Sequence, residues 1–308
     1  MSDSFANVLK EIIPKKTKSV PLQRSTRALV SRINDWLEES RKEEPPRSPG
    51  FHVSALFDLC PRKEALVNKL GVEVLEETFD AKKLLTFAIG HAYHDLVQNK
   101  ILAKSRLIVG VWKHSGSGEE IEGHCPDGSG LWVYQEPRVV LGIPGVPESE
   151  RWRIVGSCDG DLADGRLLEA KSCGIGIYSG LDKGYASLDG IDDWYTACGK
   201  DGSWAQKYAR SHSFQLRLYL CGLDRQEGVV FYLPKGQPPK GEPAMKEFII
   251  RKLPGAEEAA REKVRSIFNA WAGGEWGGPL PRKVCGSPAC KRAKDCPVVT
   301  QCFAESDS

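Results

Sequence analysis

The 308-residue sequence has no run of about 18 apolar residues, the length that a membrane-spanning helix needs. Its first residues lack the charged and then apolar order of a secretory signal, and no internal repeat or low-complexity tract is present. Charge of one sign is not in excess either, with 43 Lys and Arg against 41 Asp and Glu. Net charge therefore does not indicate nucleic-acid binding, which would need a local basic groove. We expect a cytoplasmic protein without a membrane partner.

The sequence contains ten cysteines. Because glutathione keeps cytoplasmic thiols reduced, we do not expect these cysteines to form disulfides, and their spacing indicates what other roles they have. Cys60 stands alone, whereas four cysteines crowd into "CGSPACKRAKDCPVVTQC" near the end of the chain. Four thiolates without a nearby histidine are typical of a zinc site or an iron–sulfur cluster. The remaining five have the spacing of ordinary packed side chains: Cys125, Cys158, Cys173, Cys198 and Cys221.

Composition and breakers predict one large domain with an appendage. With 41% hydrophobic residues the chain can bury a sizeable core. Residues 1–13 and roughly 22–42 have helical spacing and are followed by the Pro-rich stretch "RKEEPPRSPG", so we predict an N-terminal helical arm and linker over residues 1–50. Residues 51–308 then form the main domain, with a Gly- and Pro-rich insertion of short strands at about 115–152.

Within the main domain, helical and strand-like segments alternate, which predicts an α/β fold with a mixed sheet. A helix capped by Ser54 and interrupted near Pro61 comes first. The other predicted helices are about 82–104, 203–222 and 255–272, and the predicted strands include "RLIVGVWKH", "RWRIVGSCDGDL", "RLLEAKSC", "GVVFYL" and "EFIIRKL".

The stretch "GSCDGDLADGRLLEAKS", residues 156–172, reads as a hairpin with an Asp-Gly turn signal. A two-residue turn would pair Asp159 with Ala170 and put its side chain on the face away from Glu169. A three-residue turn closed by a left-handed Gly165 would instead set Asp159 directly opposite Glu169. The two registers differ in whether the carboxylates share a face.

In the three-residue register, Asp159, Glu169 and Lys171 lie on one face of the hairpin. Two ionised carboxylates that close repel each other unless a cation lies between them. Oxygen ligands favour Mg²⁺ or Mn²⁺, and a lysine beside the metal can orient water and offset the charge of a phosphate. By spacing alone, a solvated hairpin with surface charges is the simpler interpretation.

Five motifs taken together favour the metal site over the solvated hairpin. They are "SALFDLCPRKEAL", "GHAYH", "CDG", "LLEAKS" and "QLRLY". In this order, over about residues 54–302, they resemble the PD-(D/E)xK nucleases of the RecB type. The chain is especially similar to the iron–sulfur exonucleases among them, including CRISPR-associated RecB-like exonucleases, the AddB nuclease domain and phage proteins. The resemblance implies a restriction-endonuclease-like core and a Mg²⁺- or Mn²⁺-dependent exonuclease acting on DNA ends or single strands, with a recombinase or helicase as a possible partner.

The resemblance also implies roles for individual residues. Lys171 becomes the catalytic lysine, and the metal ligands become His94, Asp159, Glu169 and the backbone carbonyl of Ala170. His91 competes with His94 on nearly the same helical face, but the Gly90-x-x-x-His94 spacing favours His94.

DNA contacts are implied by the same resemblance. Gln215 and Tyr219 match a Gln-x-x-x-Tyr pair that shapes the active site and contacts DNA. Basic residues near the cysteines are further candidates for phosphate contacts: Arg62, Lys63, Arg292 and Lys294.

For the cysteines, the resemblance implies a [4Fe–4S] cluster held by Cys60, Cys285, Cys290 and Cys296. Cys302 is the alternative to Cys285, because the gap between Cys285 and Cys290 is wider than the family's, and Zn²⁺ is the alternative metal. Such a cluster would join the N- and C-terminal parts of the domain. The alternative function is a catalytically inactive nucleic-acid-binding or redox-responsive Cys₄ metal protein of the same fold.

Overall fold

The computed structural model describes residues 49–72, 81–127, 129–188, 203–271, 275 and 277–305. The predicted N-terminal arm lies outside the described residues except for its last two. The chain divides into two compact units, one of residues 46–78 and 87–308, the other of 1–45 and 79–86. Of the second unit only residues 81–86 are described, and they are helical.

Helices and strands alternate along the described chain as the sequence predicts. The first part contains strand β1 (Phe51–His52), helices α1 (Val53–Leu56), α2 (Pro61–Leu70) and α3 (Ala81–Asp95), and a π-helical segment (Leu96–Leu102). The middle part is rich in strands and contains β2 (Ile108–His114), β3 (Glu120–Gly123), β4 (Trp132–Gln135), β5 (Arg138–Leu141), a 3₁₀ turn (Glu150–Trp152), β6 (Ile154–Ser157), β7 (Gly160–Leu162) and β8 (Leu167–Cys173). The last part contains helices α4 (Ile175–Tyr178), α5 (Leu181–Ala186) and α6 (Trp204–Gly222), strands β9 (Glu227–Pro234) and β10 (Lys246–Arg251), and helices α7 (Pro254–Ala270), α8 (Lys291–Lys294) and α9 (Val299–Ala304).

The main sheet is mixed, which confirms the predicted fold class. Its strand order is β10-β9-β8-β7-β2-β3, and β4 pairs with β2 as well. Strands β8 and β9 run parallel, while the other pairs of this sheet are antiparallel. A smaller sheet has the order β1-β6-β5. The predicted insertion contributes β3, β4 and β5, so it is rich in strands and extends both sheets.

Helices flank the main sheet because alternate residues of its strands point to opposite faces. Leu167 of β8 belongs to the large core cluster that contains Leu216 and Leu220 of α6. Leu168 and Ala170, which point the other way, pack against Val97 of the π-helical segment. The central strand β8 is therefore covered on both sides, and its polar residues lie in a largely buried setting.

Local signals explain where two of these helices begin. Helix α6 starts with a capping box, in which the Ser203 hydroxyl accepts a hydrogen bond from the Gln206 N–H and the Gln206 side chain accepts one from the Ser203 N–H. Pro61 occupies the first position of α2, where its missing N–H costs nothing. The predicted cap at Ser54 is wrong, since His52 is the N-cap of α1 and Ser54 lies within that helix.

No described helix combines the length and the apolar character that crossing a membrane would require.

Candidate metal centre

The β7–β8 hairpin has the three-residue turn. Gly160 is opposite Leu168, and the Leu162 N–H donates to the carbonyl of Arg166 at 2.8 Å. Gly165 has φ +88°, a left-handed conformation that glycine adopts without strain. The same register sets Asp159 across from Glu169, so both carboxylates belong to one site.

Asp159 is held by groups on two elements. Its Oδ2 accepts a hydrogen bond from the Ala170 N–H at 2.6 Å, and its Oδ1 lies 3.3 Å from Nδ1 of His94 on α3. The hydrogen bond to Asp159 raises the pKa of His94 above its usual value, although burial opposes the shift. The competing histidine, His91, is exposed on the same helix.

A third side chain with a ligand atom suited to a metal ion, Glu136, joins this pair from the loop after β4. Ligand atoms of His94, Glu136 and Asp159 all lie within 4.8 Å of one another, a group that could hold a divalent metal ion. Although Glu136 is an exposed residue overall, its carboxylate turns inward. Loss of hydration there and the charge of Asp159 raise the pKa of the Glu136 carboxyl. Sequence reasoning missed Glu136, since no motif or spacing marks it within the Gly- and Pro-rich insertion.

Gln98, which sequence analysis also did not identify, forms hydrogen bonds with both of the loops that carry Glu136 and Asp159. Its Nε2 donates to Oε1 of Glu136 at 3.0 Å and to the backbone carbonyl of Asp159 at 2.7 Å. Gln98 lies in the π-helical segment, and such segments occur frequently at functional sites. The wider helical turn presents this buried side chain toward the insertion on one side and the hairpin on the other.

Buried Glu169 and half-buried Lys171 form an ion pair on β8, with the Lys171 Nζ against Oε1 of Glu169. Glu169 is 1% exposed, and its Oε2 has no hydrogen-bond partner among the described residues. Burial and the nearby Asp159 carboxylate raise the pKa of Glu169, while Lys171 opposes the shift. Burial alone would lower the pKa of Lys171, but the Glu169 and Asp159 carboxylates outweigh it and raise the value.

Helix α6 contributes a third side of the site. Gln215 donates from Nε2 to the Tyr219 hydroxyl at 3.1 Å, and both side chains are buried. Burial raises the pKa of Tyr219, and the charges of Glu169 and Asp159 raise it further. The pair therefore lies beside the carboxylates, where it can shape the site, and its predicted contact with DNA stays a prediction.

His212 lies on the same helix and was not predicted. Its Nδ1 is 2.6 Å from the Tyr232 hydroxyl, which is 3.0 Å from the hydroxyl of Tyr185. Burial and the positive charge of Lys171 lower the pKa of His212 well below its usual range. A neutral imidazole thus lies near the lysine of the site.

Arg62, which was predicted to contact DNA, is buried in this structure, and its predicted DNA contact stays a prediction. Arg62 is 0% exposed, and its guanidinium donates to the carbonyls of Pro281, Cys302 and Glu305 at 2.9, 3.3 and 2.9 Å. A buried guanidinium needs such partners because it cannot lose its charge. Arg62 therefore connects α2 to the C-terminal segment and does not face solvent.

The cysteine region draws on both ends of the described chain. Cys60, Cys285, Cys296 and Cys302 line one cavity together with Lys63, and the cavity volume is about 20 Å³. Cys290 hydrogen-bonds with Cys285 through their side chains. Burial, with help from the neighbouring Cys290, raises the pKa of the Cys285 thiol to about 12. Of the other basic residues predicted here, Arg292 donates to the carbonyl of Asp58 and Lys294 is exposed.

No protein-family model matches the chain, and no curated protein matches it. The crystal structure of SSO0001 is 12% identical, with a TM-score of 0.43, and the match covers 88% of this chain and 96% of that one. A phage-related exonuclease from Haemophilus somnus 129PT is also 12% identical, with a TM-score of 0.33 and coverage of 72% and 92%. Both TM-scores are too low to carry an argument about function.

The donor set fits a hard divalent cation. One imidazole and two carboxylates come together from α3, the insertion and the loop before the hairpin, and the Glu169 carboxylate lies close enough to feel the charge of Asp159. Burial together with the charge of Asp159 raises the pKa of Glu136 and of Glu169. A buried carboxylate oxygen without a hydrogen-bond partner, as at Glu169, is costly unless a cation satisfies it. Nitrogen and oxygen donors of this kind suit Mg²⁺ or Mn²⁺.

Proposed function

We propose that this chain is a metal-dependent DNA nuclease that hydrolyses phosphodiester bonds as an exonuclease. The observation that carries the proposal is the convergence of His94, Glu136 and Asp159 within 4.8 Å, next to the Glu169–Lys171 ion pair. Carboxylates without a lysine would suit a purely structural ion. A half-buried lysine beside them suits a site that also receives a negatively charged substrate.

The roles of the chain's own residues follow from their contacts. Asp159, Glu136 and His94 would hold the metal ion, with Glu169 and the Ala170 carbonyl as the further ligands that the motif resemblance implies. When bound, Mg²⁺ or Mn²⁺ supplies Lewis-acid polarisation of the phosphate and lowers the pKa of water. The Ala170 N–H and Gln98 keep Asp159 and Glu136 aimed at one point. Lys171 can hydrogen-bond the attacking water and balance the charge that develops on the phosphate.

End-labelled single-stranded and blunt double-stranded DNA, incubated with the protein and Mn²⁺ or EDTA, tests the proposal. We expect shortening of labelled strands with Mn²⁺ and none with EDTA. Lys171→Met should lower the rate by about a hundredfold or more while Mn²⁺ still binds in calorimetry. Intact DNA after incubation of the wild type with Mn²⁺ would favour the alternative, an inactive nucleic-acid-binding or redox-responsive protein.

We further propose that the clustered cysteines hold a [4Fe–4S] cluster through Cys60, Cys285, Cys290 and Cys296, with Cys302 as the alternative to Cys285. Soft thiolates from both ends of the described chain support a metal there. The cavity, at about 20 Å³, has room for a single ion. The contact between Cys285 and Cys290 would therefore have to open to admit a cluster, whereas Zn²⁺, the alternative, needs less space.

A further inference from the structure

A groove at the start of α6 is bounded by an exposed tryptophan that has no role among the proposed catalytic residues. Trp204, the first residue of α6, is 62% exposed. It borders a cavity of about 440 Å³, within the usual size range of ligand sites. The other lining residues are small or apolar: Gly174, Gly176, Ile177, Gly180, Ser203 and Ala205.

Two lysines lie over the indole ring of Trp204. The Nζ atoms of Lys207 and Lys291 are 5.8 and 5.7 Å from the ring centroid. Lys207 also pairs with Asp58 at 3.2 Å, which offsets part of its charge. No carboxylate of the described residues lies within ion-pair distance of Lys291, so its charge is available to an anion.

Two chain segments, β8 and α6, connect the groove to the metal centre. Gly174 follows directly after β8 and is three residues beyond Lys171, about 10 Å at the rise of a strand. On α6, five aromatic or polar residues fall within an arc of about 80° at 3.6 residues per turn. They are Trp204, Tyr208, His212, Gln215 and Tyr219. The helix face that borders the carboxylates at Tyr219 therefore carries Trp204 about 22 Å away at its other end.

We propose that Trp204 is a stacking platform for a base of single-stranded DNA whose scissile phosphate lies at the metal centre, and that Lys291 and Lys207, which lie over the ring in this structure, move aside to pair with the flanking phosphates. An exposed indole stacks on any base, and neighbouring lysines attract the flanking phosphates. Glycines in the cavity floor let a nucleotide approach the backbone closely. In a duplex every internal base is paired and stacked on both sides, so the platform favours single strands, in which each base can offer a free face. The proposal rests on the proposed nuclease function for its choice of DNA.

Binding without catalysis tests the platform directly. Fluorescence anisotropy in EDTA would measure the affinity for a labelled oligothymidylate of about 20 nucleotides. We expect Trp204→Ala to weaken binding about tenfold and Trp204→Phe to restore most of it, because base stacking needs only an aromatic face. Lys291→Ala should weaken binding. It should also reduce the slope of log affinity against log salt concentration by the amount that corresponds to about one phosphate contact. Two matched controls, Ile249→Ala at an exposed apolar position and Lys240→Ala at an exposed lysine, should bind like the wild type.

Three results would overturn the platform. The first is that Trp204→Ala binds the oligothymidylate as tightly as the wild type does. The second is that Trp204→Ala loses as much affinity for a blunt duplex as for the oligothymidylate. The third is that Trp204→Ala loses affinity for an oligouridylate of the same length but not for the DNA strand.

Cleavage with Mn²⁺ separates this inference from the proposed nuclease. The p-nitrophenyl ester of thymidine 5′-phosphate is too short to reach Trp204, so Trp204→Ala should hydrolyse it at the wild-type rate while the KM for the long strand rises. If the wild type cleaves neither substrate but Trp204→Ala still loses affinity for single strands, the nuclease proposal fails and the platform stands. Slower hydrolysis of the short ester by Trp204→Ala would place the tryptophan in the reaction itself and overturn a role confined to binding.

Discussion

The backbone N–H of Ala170 donates a hydrogen bond to the Asp159 carboxylate, with 2.6 Å between the nitrogen and Oδ2. This bond crosses the hairpin and holds one candidate metal ligand against the strand that carries Glu169 and Lys171. The site geometry and the hairpin structure therefore depend on the same carboxylate.

Two substitutions at Asp159 should separate these contributions. Asp159→Asn keeps an oxygen that can accept from the Ala170 N–H, so we expect loss of cleavage with little change in stability. Asp159→Ala leaves that buried N–H without a partner and should cost a further 1–3 kcal/mol, a rough value for an unsatisfied amide. Urea unfolding in EDTA measures the difference. Equal stability of the two variants would mean that the hydrogen bond contributes nothing to the fold.

Substitution of Glu136, a residue that sequence analysis did not identify, tests the proposed set of metal ligands. Glu136→Gln removes one anionic ligand but retains an oxygen for the Gln98 amide, so we expect Mn²⁺ binding to weaken by about tenfold or more. Calorimetry with Mn²⁺ measures this, and Glu119→Gln, at an exposed position, is the matched control. Unchanged affinity of Glu136→Gln would remove Glu136 from the ligand set.

The cysteine region should reveal its metal by colour and content. Iron–sulfur clusters absorb visible light and Zn²⁺ does not, so we expect anaerobically purified protein to be brown and to contain about four irons per chain. Cys60→Ser should lose the colour and much of the stability together, whereas Cys125→Ser should keep both. Between Cys285→Ser and Cys302→Ser, we expect the loss with Cys285. A colourless protein with one zinc would replace the cluster assignment.

His212 should make folding sensitive to acid. Its pKa in the folded protein is lowered by burial and by Lys171, so below about pH 6.5 the unfolded chain binds a proton that the folded chain does not. The stability is therefore complete above that pH and falls as the pH decreases, by up to about 1.4 kcal/mol per pH unit from this group.

Urea unfolding in EDTA between pH 7.5 and 5.5 measures this slope. We expect a smaller slope for His212→Asn, while His91→Asn, which removes an exposed imidazole, keeps the wild-type slope. An unchanged slope in His212→Asn would mean that His212 is already protonated in the folded protein.

Local residue chemistry determined the elements and the hairpin. Alternating apolar residues and breakers were enough to predict the mixed sheet and its helices, because strand and helix periods depend only on neighbouring residues. Gly165 favoured the three-residue turn, since few other residues adopt its left-handed backbone conformation without strain. That register alone predicts that Asp159 and Glu169 lie opposite each other, because the length of the turn fixes which residues pair across the hairpin.

Only the tertiary structure determines which residues surround Asp159 and Glu169. Glu136 reaches the site because the insertion packs against the π-helical segment through Gln98, and no pattern in the sequence encodes that distance. Arg62 had the appearance of a surface cation, yet packing buries it among carbonyls of the C-terminal segment. Contacts between segments far apart in the chain depend on how the whole core packs, and residue spacing along the chain does not contain that information.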